Sequence, residues 1–442
     1  MRIRFWGTRG SLPKPAPNVM RYGGNTACVE ARGADGALIV LDCGTGSHGL
    51  GRELLSAGRE PPSGRLLLSH THWDHIQGFP FFAPLFVRGA QWEIYAPGFA
   101  GHKLERILAE VMSYNHFPVP LDELGATIRY HDMTEGAFGA GSIRVTAQYM
   151  NHPTMTLGYR LESGGAAIVY IPDHEPNALS PPEAAPGARP VHREEQRHVD
   201  FLAGADLLIH DAQYTLEEYR GKIGWGHSPV EQAVDYALAG GVKRLALFHH
   251  DPWRDDAQVD ALAEMARGRV RASGRALEVF GAAEGEVFDL PEKLPARPGP
   301  AGAKDSPAFL ARSADTILAV DGDAEMIRKL QMAMPPASFR LLTAVTGASA
   351  LRAAREALPA LIVLEPALPG EDGLGLCRAL RAETRPELRE VPILVYTGRL
   401  TSPADVLACY EAGATDHMPK SMPLVQLRAR VCAWLLRTAK GA

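Results

Sequence analysis

The sequence predicts an α/β protein of two domains: a mixed α/β domain with much sheet, then a smaller, parallel doubly wound domain. Three observations carry this expectation. Short β-type runs and helical stretches alternate through both parts. A Pro/Gly/Ala-rich segment without apolar period, residues 290–307, reads as a semi-stiff linker between them. Fifteen of the sixteen histidines lie before residue 301, so the two parts differ in chemistry. A chain of 442 residues, 46% hydrophobic and 22% charged, is long enough for two or three globular domains.

The first domain, residues 1–290, opens with β runs between Gly-rich turns at 3–6, 27–30, 38–41 and 65–69. Helical stretches at 103–113 and 229–239 come between later strands at 143–149, 167–171, 207–210 and 244–248. Residues 291–314 form the linker. The second domain, 315–442, has β runs at 317–321, 361–365 and 393–397, with helical stretches at 324–334, 348–357, 404–412 and 424–436.

No run of about 18 apolar residues occurs, and the start, Met1-Arg-Ile-Arg-Phe-Trp6, lacks the apolar stretch of a signal peptide. A cytoplasmic protein is expected, with no membrane partner. Five cysteines without a CxxC pair indicate reduced thiols, not a disulfide framework or a cysteine zinc site. From residue 301 onward there are 17 Lys+Arg against 15 Asp+Glu, which leaves 29 against 36 in the first 300 residues, a net of −7 there. A mildly acidic domain without basic runs is a poor match for long nucleic acid, because neutralising phosphates needs clustered Lys and Arg.

The strongest chemical signal follows the apolar run Leu66-Leu67-Leu68. The segment Ser69-His70-Thr71-His72-Trp73-Asp74-His75 reads H-x-H-x-D-H and gathers three imidazoles and a carboxylate within six residues. Such nitrogen and oxygen donors suit Zn²⁺ or a similar divalent ion. Alternation along an extended segment puts His70 and His72 on one side, and the following turn can aim Asp74 and His75 at a second position, so two metals fit better than one. Further ligands are expected where later strands give way to loops: His152, Asp173 and His249, with His250 the competitor for the last place. His48, His102, His116, His131, His192 and His198 receive no metal role.

With Gly7-Thr-Arg-Gly-Ser11, Tyr22-Gly-Gly-Asn-Thr26, Leu41-Asp42-Cys-Gly-Thr-Gly46 and Gly78 added, residues 1–285 resemble the metallo-β-lactamase superfamily. The similarity is to its phosphodiesterase branch, which includes ribonuclease Z and the phosphoribosyl cyclic phosphodiesterases. The resemblance implies a four-layer αββα sandwich with the site at one edge of the sheets. It also implies that His70, His72 and His152 hold one ion, that Asp74, His75 and His249 hold the other, and that Asp173 bridges them. His249 is preferred to His250 because it follows its strand directly, as in the family's L-x-H pattern. Two divalent ions, Zn²⁺ or else Mn²⁺ or Fe²⁺, about 3.5–4 Å apart can hold a bridging hydroxide and neutralise charge on phosphoryl oxygens. Asp74 and Asp173 would orient that water, with Asp42 and Asn25 supporting the ligands from behind.

The segments Ala205-Asp-Leu-Leu-Ile-His210-Asp211-Ala and Gly224-Trp-Gly-His227-Ser228 look like those in which an acidic residue of ribonuclease Z orients a histidine beside the metals. By that likeness His227 is the general acid for the leaving alkoxide and Asp211 its orienting partner; a positioned imidazolium contributes about 10²–10⁴-fold. Residues 176–197, the only counterpart to a tRNA-gripping arm, are Pro/Ala-rich and not strongly basic. A small phosphodiester, such as a cyclic nucleotide or cyclic sugar phosphate, is therefore expected as substrate. The alternatives are a thioester or lactam hydrolase of the same superfamily and a non-catalytic signalling scaffold.

Residues 315–438 resemble a two-component receiver domain through Ile317-Leu-Ala-Val-Asp321, Leu361-Ile-Val-Leu-Glu365, Leu368-Pro-Gly370, Thr397 and Lys420. Glu365 stands where such domains carry the phosphoacceptor aspartate, and Gly322 replaces one of the two acidic Mg²⁺ ligands. The resemblance thus implies a degenerate receiver for regulation or docking, through a signalling protein or a homodimer.

Overall fold

The computed structural model describes residues 1–58, 60–98, 103–180, 184–290, 315–334, 339–368, 372–400, 403–422 and 424–438. The expected linker at 291–314, His102, and Pro369 and Gly370 of the receiver motif lie outside the described residues. The chain divides into two units, Met1–Ser306 and Pro307–Ala442.

The strands of the first unit are β1 (Arg2–Gly7), β2 (Cys28–Arg32), β3 (Leu38–Leu41), β4 (Gly64–Leu67), β5 (Gln91–Pro97), β6 (Thr127–Met133), β7 (Gly136–Ala140), β8 (Ile143–Tyr149), β9 (Leu157–Ser163), β10 (Ala166–Ile171), β11 (Leu207–Asp211), β12 (Arg244–Phe248), β13 (Glu278–Gly281) and β14 (Val287–Asp289). Its helices are α1 (Ser47–Ala57), α2 (Trp73–Ile76), α3 (Leu104–Val111), α4 (Arg193–Leu202), α5 (Leu216–Tyr219), α6 (Val230–Ala239) and α7 (Asp256–Ser273). Two seven-stranded sheets result, in the orders β14-β1-β2-β3-β4-β5-β6 and β13-β12-β11-β10-β9-β8-β7. β3 to β6 run parallel to one another, and so do β10 to β13.

Burial explains the layering. β3 and β10 are buried at every position, as expected of strands covered on both faces. On the outer face of the first sheet, Leu50 of α1 and Leu104 and Leu108 of α3 pack on Val40, Leu66 and Ile94. Behind the second sheet, Val199 of α4, Val234 of α6 and Leu262 of α7 pack on Val169, Leu208 and Leu245. The inner faces meet directly: the rings of Phe5 and Phe248 are 6.1 Å apart, and the Tyr159 hydroxyl donates to the Leu68 carbonyl at 2.7 Å. This is the four-layer αββα sandwich.

The second unit holds β15 (Asp315–Val320), β16 (Phe339–Ala344), β17 (Leu361–Leu364), β18 (Ile393–Thr397) and β19 (Asp416–Pro419). All pair in parallel in the order β16-β15-β17-β18-β19, a doubly wound sheet whose site belongs at the carboxyl ends of its strands. All five cysteines are buried and free. Among the described residues, no helix is long and apolar enough to cross a membrane.

Candidate metal centre

The chemistry collects at the carboxyl ends of parallel strands. Asp42 follows β3, Ser69 to His75 follow β4, Asp173 follows β10, Asp211 ends β11 and His249 follows β12; His152 comes just after the antiparallel β8. The H-x-H-x-D-H segment stays extended through His72 and then turns into α2, whose N-cap is His72. That change of course sends Asp74 and His75 to a different place from His70 and His72.

Three overlapping groups of donors form. His70, His72, His152 and Asp173 offer ligand atoms that lie within 4.8 Å of one another, and so do Asp74, His75 and His249; Asp173, His227 and His249 make a third such group. Asp173 stands between the first two. Its Oδ2 is 3.7 Å from Nε2 of both His70 and His152, while its Oδ1 is 3.1 Å from His75 Nε2 and 3.4 Å from His249 Nε2.

The tautomers are set from behind. His75 Nδ1 donates to Asp42 Oδ2 at 2.8 Å, His152 Nδ1 to the Gly226 carbonyl at 2.9 Å and His249 Nδ1 to Gln213 Oε1 at 3.3 Å. Each ring therefore turns an Nε2 lone pair inward, the arrangement that outer hydrogen bonds impose on metal-binding imidazoles. Ring nitrogens converge there: His75 Nε2 is 3.3 Å from His249 Nε2, and His152 Nε2 is 3.2 Å from His72 Nδ1. His70 Nε2 is buried without a hydrogen-bond partner. Imidazole and carboxylate donors that converge at this spacing, one of them buried without a partner, fit divalent metal.

Electrostatics agree. Burial holds His70 and His152 well below the usual imidazole range, which leaves them neutral as ligands must be. Burial also opposes protonation of His75, yet Asp74, Asp173 and Asp42 around it push its pKa well up, so this spot attracts positive charge.

Backbone strain marks the same residues. Asp42 and His249 are both left-handed, each with φ 58°, a conformation that persists in non-glycine residues only where surroundings enforce it. Gly10 has no room for a side chain, since a Cβ there would come within 2.4 Å of the His249 ring. His250 turns the other way and bonds the Ala282 carbonyl at 2.9 Å, its pKa lowered by burial to about 3.

His227 lies in the same pocket. Its ring stacks on His249 with centroids 4.9 Å apart, and its Nδ1 donates to Asp211 Oδ2 at 3.0 Å. Asp211 Oδ2 also accepts from the Ser228 and His174 backbone N–H groups. Burial would lower the His227 pKa, but the adjacent Asp211 and the more distant Asp173 and Asp74 raise it to about 9.

One expected support differs. The Asn25 side chain touches no ligand, because Glu284 holds it: its Nδ2 donates to Glu284 Oε2 at 2.8 Å. Asp42 does support the site, accepting from Ser69 N–H, Ser69 Oγ and the Tyr170 hydroxyl as well as from His75. The sequence reading missed Ser69, Tyr170 and Gln213. Tyr170 sits in a fully buried strand, where no alternation singles out a functional side chain. Ser69 was legible as the residue that opens the motif. Among the histidines without a metal role, His198 bonds His210 at 3.1 Å and His131 stacks on Tyr95.

Asp42→Asn keeps a residue type that tolerates left-handed backbone but removes the charged acceptor of His75. The expected result is a 10- to 100-fold loss of metal affinity, read by chelator competition, with little loss of fold. Unchanged affinity would remove Asp42 from this role.

Residues 38–250 match the family model of the beta-lactamase superfamily domain, and residues 317–432 match that of the response regulator receiver domain. The chain joins a beta-lactamase superfamily domain to a receiver domain. Ribonuclease Z of Haloarcula marismortui is 24% identical over 302 residues, covering 60% of this chain and 91% of that protein. The transcriptional regulatory protein PrrA of Mycobacterium bovis is 39% identical over 126 residues, or 28% of this chain and 52% of PrrA. The chain thus spans about half the length of the PrrA relatives it matches. The crystal structure of human tRNase Z, short form, aligns over 66% of this chain and 100% of its own, with 22% identity and a TM-score of 0.45.

In the receiver domain, Glu365 follows β17 and reaches across the end of the sheet. The Thr397 hydroxyl and the Ala367 N–H donate to its Oε1 at 2.8 and 2.9 Å, and Lys420 Nζ is 3.0 Å from its Oε2 and 2.6 Å from Asp321 Oδ2. Burial would raise the Glu365 pKa, but the Ala367 N–H, Thr397 and Lys420 lower it, so the carboxylate is held ionised. A carboxylate already bound to Thr397 and Lys420 leaves an incoming phosphoryl group neither acceptor geometry nor partners. Incubation with acetyl phosphate and Mg²⁺ is expected to add no phosphate to this domain by mass spectrometry; a gain of one phosphate would refute this. Glu365→Gln then shows whether the carboxylate sets the domain's conformation, by a change in the hydrolytic activity of the first domain or in oligomeric state.

Proposed function

We propose that residues 1–290 form a dinuclear metal-dependent phosphodiesterase acting on a small, cyclic phosphodiester. A linker at 291–314 joins it to a receiver domain at 315–442 that regulates or docks it, through a signalling protein or a second copy. His70, His72 and His152 would hold one divalent ion, Asp74, His75 and His249 the other, with Asp173 spanning both. The donor set suits Zn²⁺ best, and also Mn²⁺ or Fe²⁺. The single observation that supports this most is the division of the Asp173 carboxylate, one oxygen toward each histidine group. When bound, such ions supply an activated water and neutralise charge on the phosphoryl oxygens.

The chain's own groups supply the rest. With Nδ1 tied to Asp211, His227 keeps its Nε2 proton for the departing alkoxide. The N-cap position of the helix that follows is Pro229, so His227 is not its capping residue. The net charge of −7 over the first 300 residues disfavours a long polyanion, and the similarity to a protein named ribonuclease Z supports phosphodiester chemistry.

Purified, zinc-loaded protein is expected to hydrolyse bis-p-nitrophenyl phosphate and to leave a thioester largely intact. Thioester cleavage without phosphodiester cleavage would sink this reading in favour of a thioesterase. Inertness toward both would favour the scaffold.

A further inference from the structure

We propose that Trp225, backed by Lys222 and framed by the Trp253 loop, is a stacking platform for a nucleobase, so that the substrate is a nucleotide phosphodiester and not a base-free cyclic sugar phosphate. The proposal rests on the phosphodiesterase reading for the phosphate half of the substrate and adds the other half.

The chain has six tryptophans. Trp73, Trp225 and Trp253 are 62%, 60% and 85% exposed. All three lie in segments that carry the site: Trp73 opens α2 between His72 and Asp74, Trp225 is two residues before His227, and Trp253 is four residues after His249. Indoles are normally kept largely out of water. Three left exposed so close in the chain to candidate ligands are a feature that the ligand geometry does not require. His72, next to Trp73, is the exposed member of its ligand group, so the centre opens to solvent on that side.

Trp225 is held out by construction. The buried Glu175 accepts from the Gly224 N–H at 2.6 Å on one carboxylate oxygen and from the Gly226 N–H at 2.8 Å on the other, and the Tyr219 hydroxyl adds a bond at 2.8 Å. Gly224 and Gly226 have φ 87° and 91°, left-handed on both sides of the indole. A Cβ at Gly226 would come within 2.2 Å of His152 Nδ1, so the loop lies hard against a metal-ligand candidate. The same clamp therefore positions His152, through the Gly226 carbonyl, and displays Trp225.

A cation joins the two aromatic loops. Lys222 Nζ is 5.6 Å from the Trp225 ring centroid, 4.0 Å from that of Tyr214 and 3.7 Å from Asp251 Oδ2. Asp251 Oδ1 in turn accepts the Trp253 N–H at 2.8 Å. An indole fixed by a rigid turn beside an ammonium group presents a preorganised flat face. Every base has a π-face to lay on it, and base stacking is strong enough to shift affinity by about 5- to 150-fold. The domain's acidic balance limits this to one or a few bases, not a long strand.

The test compares AMP with ribose 5-phosphate, which share the phosphate and sugar and differ by the base, in titrations of zinc-loaded wild-type protein. AMP is expected to bind about 10-fold or more tightly and to quench tryptophan fluorescence, which ribose 5-phosphate does not. Trp225→Ala should bring the two affinities together, and Trp225→Phe should restore most of the difference. Equal binding by the wild type, or a preference unchanged in Trp225→Ala, overturns the platform. Bis-p-nitrophenyl phosphate hydrolysis by the same preparation keeps the readings apart. Turnover without base preference refutes the platform alone, and base preference without turnover supports the platform and refutes the phosphodiesterase.

Discussion

Fully loaded Asp173→Ala protein is expected to hold fewer than two metal ions per chain and to hydrolyse bis-p-nitrophenyl phosphate about 10³-fold more slowly than wild type, a loss of about 4 kcal/mol in transition-state stabilisation. The expectation follows from position. Asp173 is buried, and its two oxygens face different histidine groups at 3.1 to 3.7 Å, so truncation takes one donor from each. Four buried imidazoles and the exposed His72 are then left with less negative charge to hold cations together. Metal analysis and a circular dichroism spectrum distinguish this from unfolding. Two tightly held ions and near-normal turnover in the variant would remove Asp173 from the bridging role.

His227→Ala is expected to lower kcat by about 10²-fold or more on substrates with alkoxide leaving groups, and much less with p-nitrophenolate, which departs without help from an acid. Metal content should stay the same, because the His227 Nδ1 is committed to Asp211. Asp211→Asn should show the same split in weaker form. It leaves the imidazole in place but removes the charge that favours its protonated state, the main force raising the His227 pKa to about 9 against burial. Equal losses on both leaving groups would assign His227 a structural part instead.

The route from residues to site was uneven. The four positions of the H-x-H-x-D-H segment are local, and a strand that turns into a short helix is enough to fix how they diverge. Asp211 and His227 were nameable only through resemblance, since neither has a local pattern of its own. Asn25 was misplaced because its competitor for the amide, Glu284, is 259 positions away. The exposed aromatics were in plain view as three tryptophans close in the chain to predicted site residues. Their exposure was not, because sequence does not say which side of a loop faces water.

Sequence alone determined the kind of chemistry here: imidazole and carboxylate donors at strand ends, a linker composition between two unlike parts, and a glutamate where a receiver would carry aspartate. Each of these depends on residue type and short spacing, which the chain carries locally. Tertiary structure decided which donors meet. His249 and Asp74 are 175 positions apart and touch because β4 and β12 end at the same edge of the two facing sheets. His249 turns inward and His250 outward because a left-handed backbone at His249, accommodated by the bare Gly10, rotates one ring into the pocket and sends the next to the Ala282 carbonyl. Strand register and a single backbone dihedral are properties of the packed molecule, and no spacing along the chain encodes them.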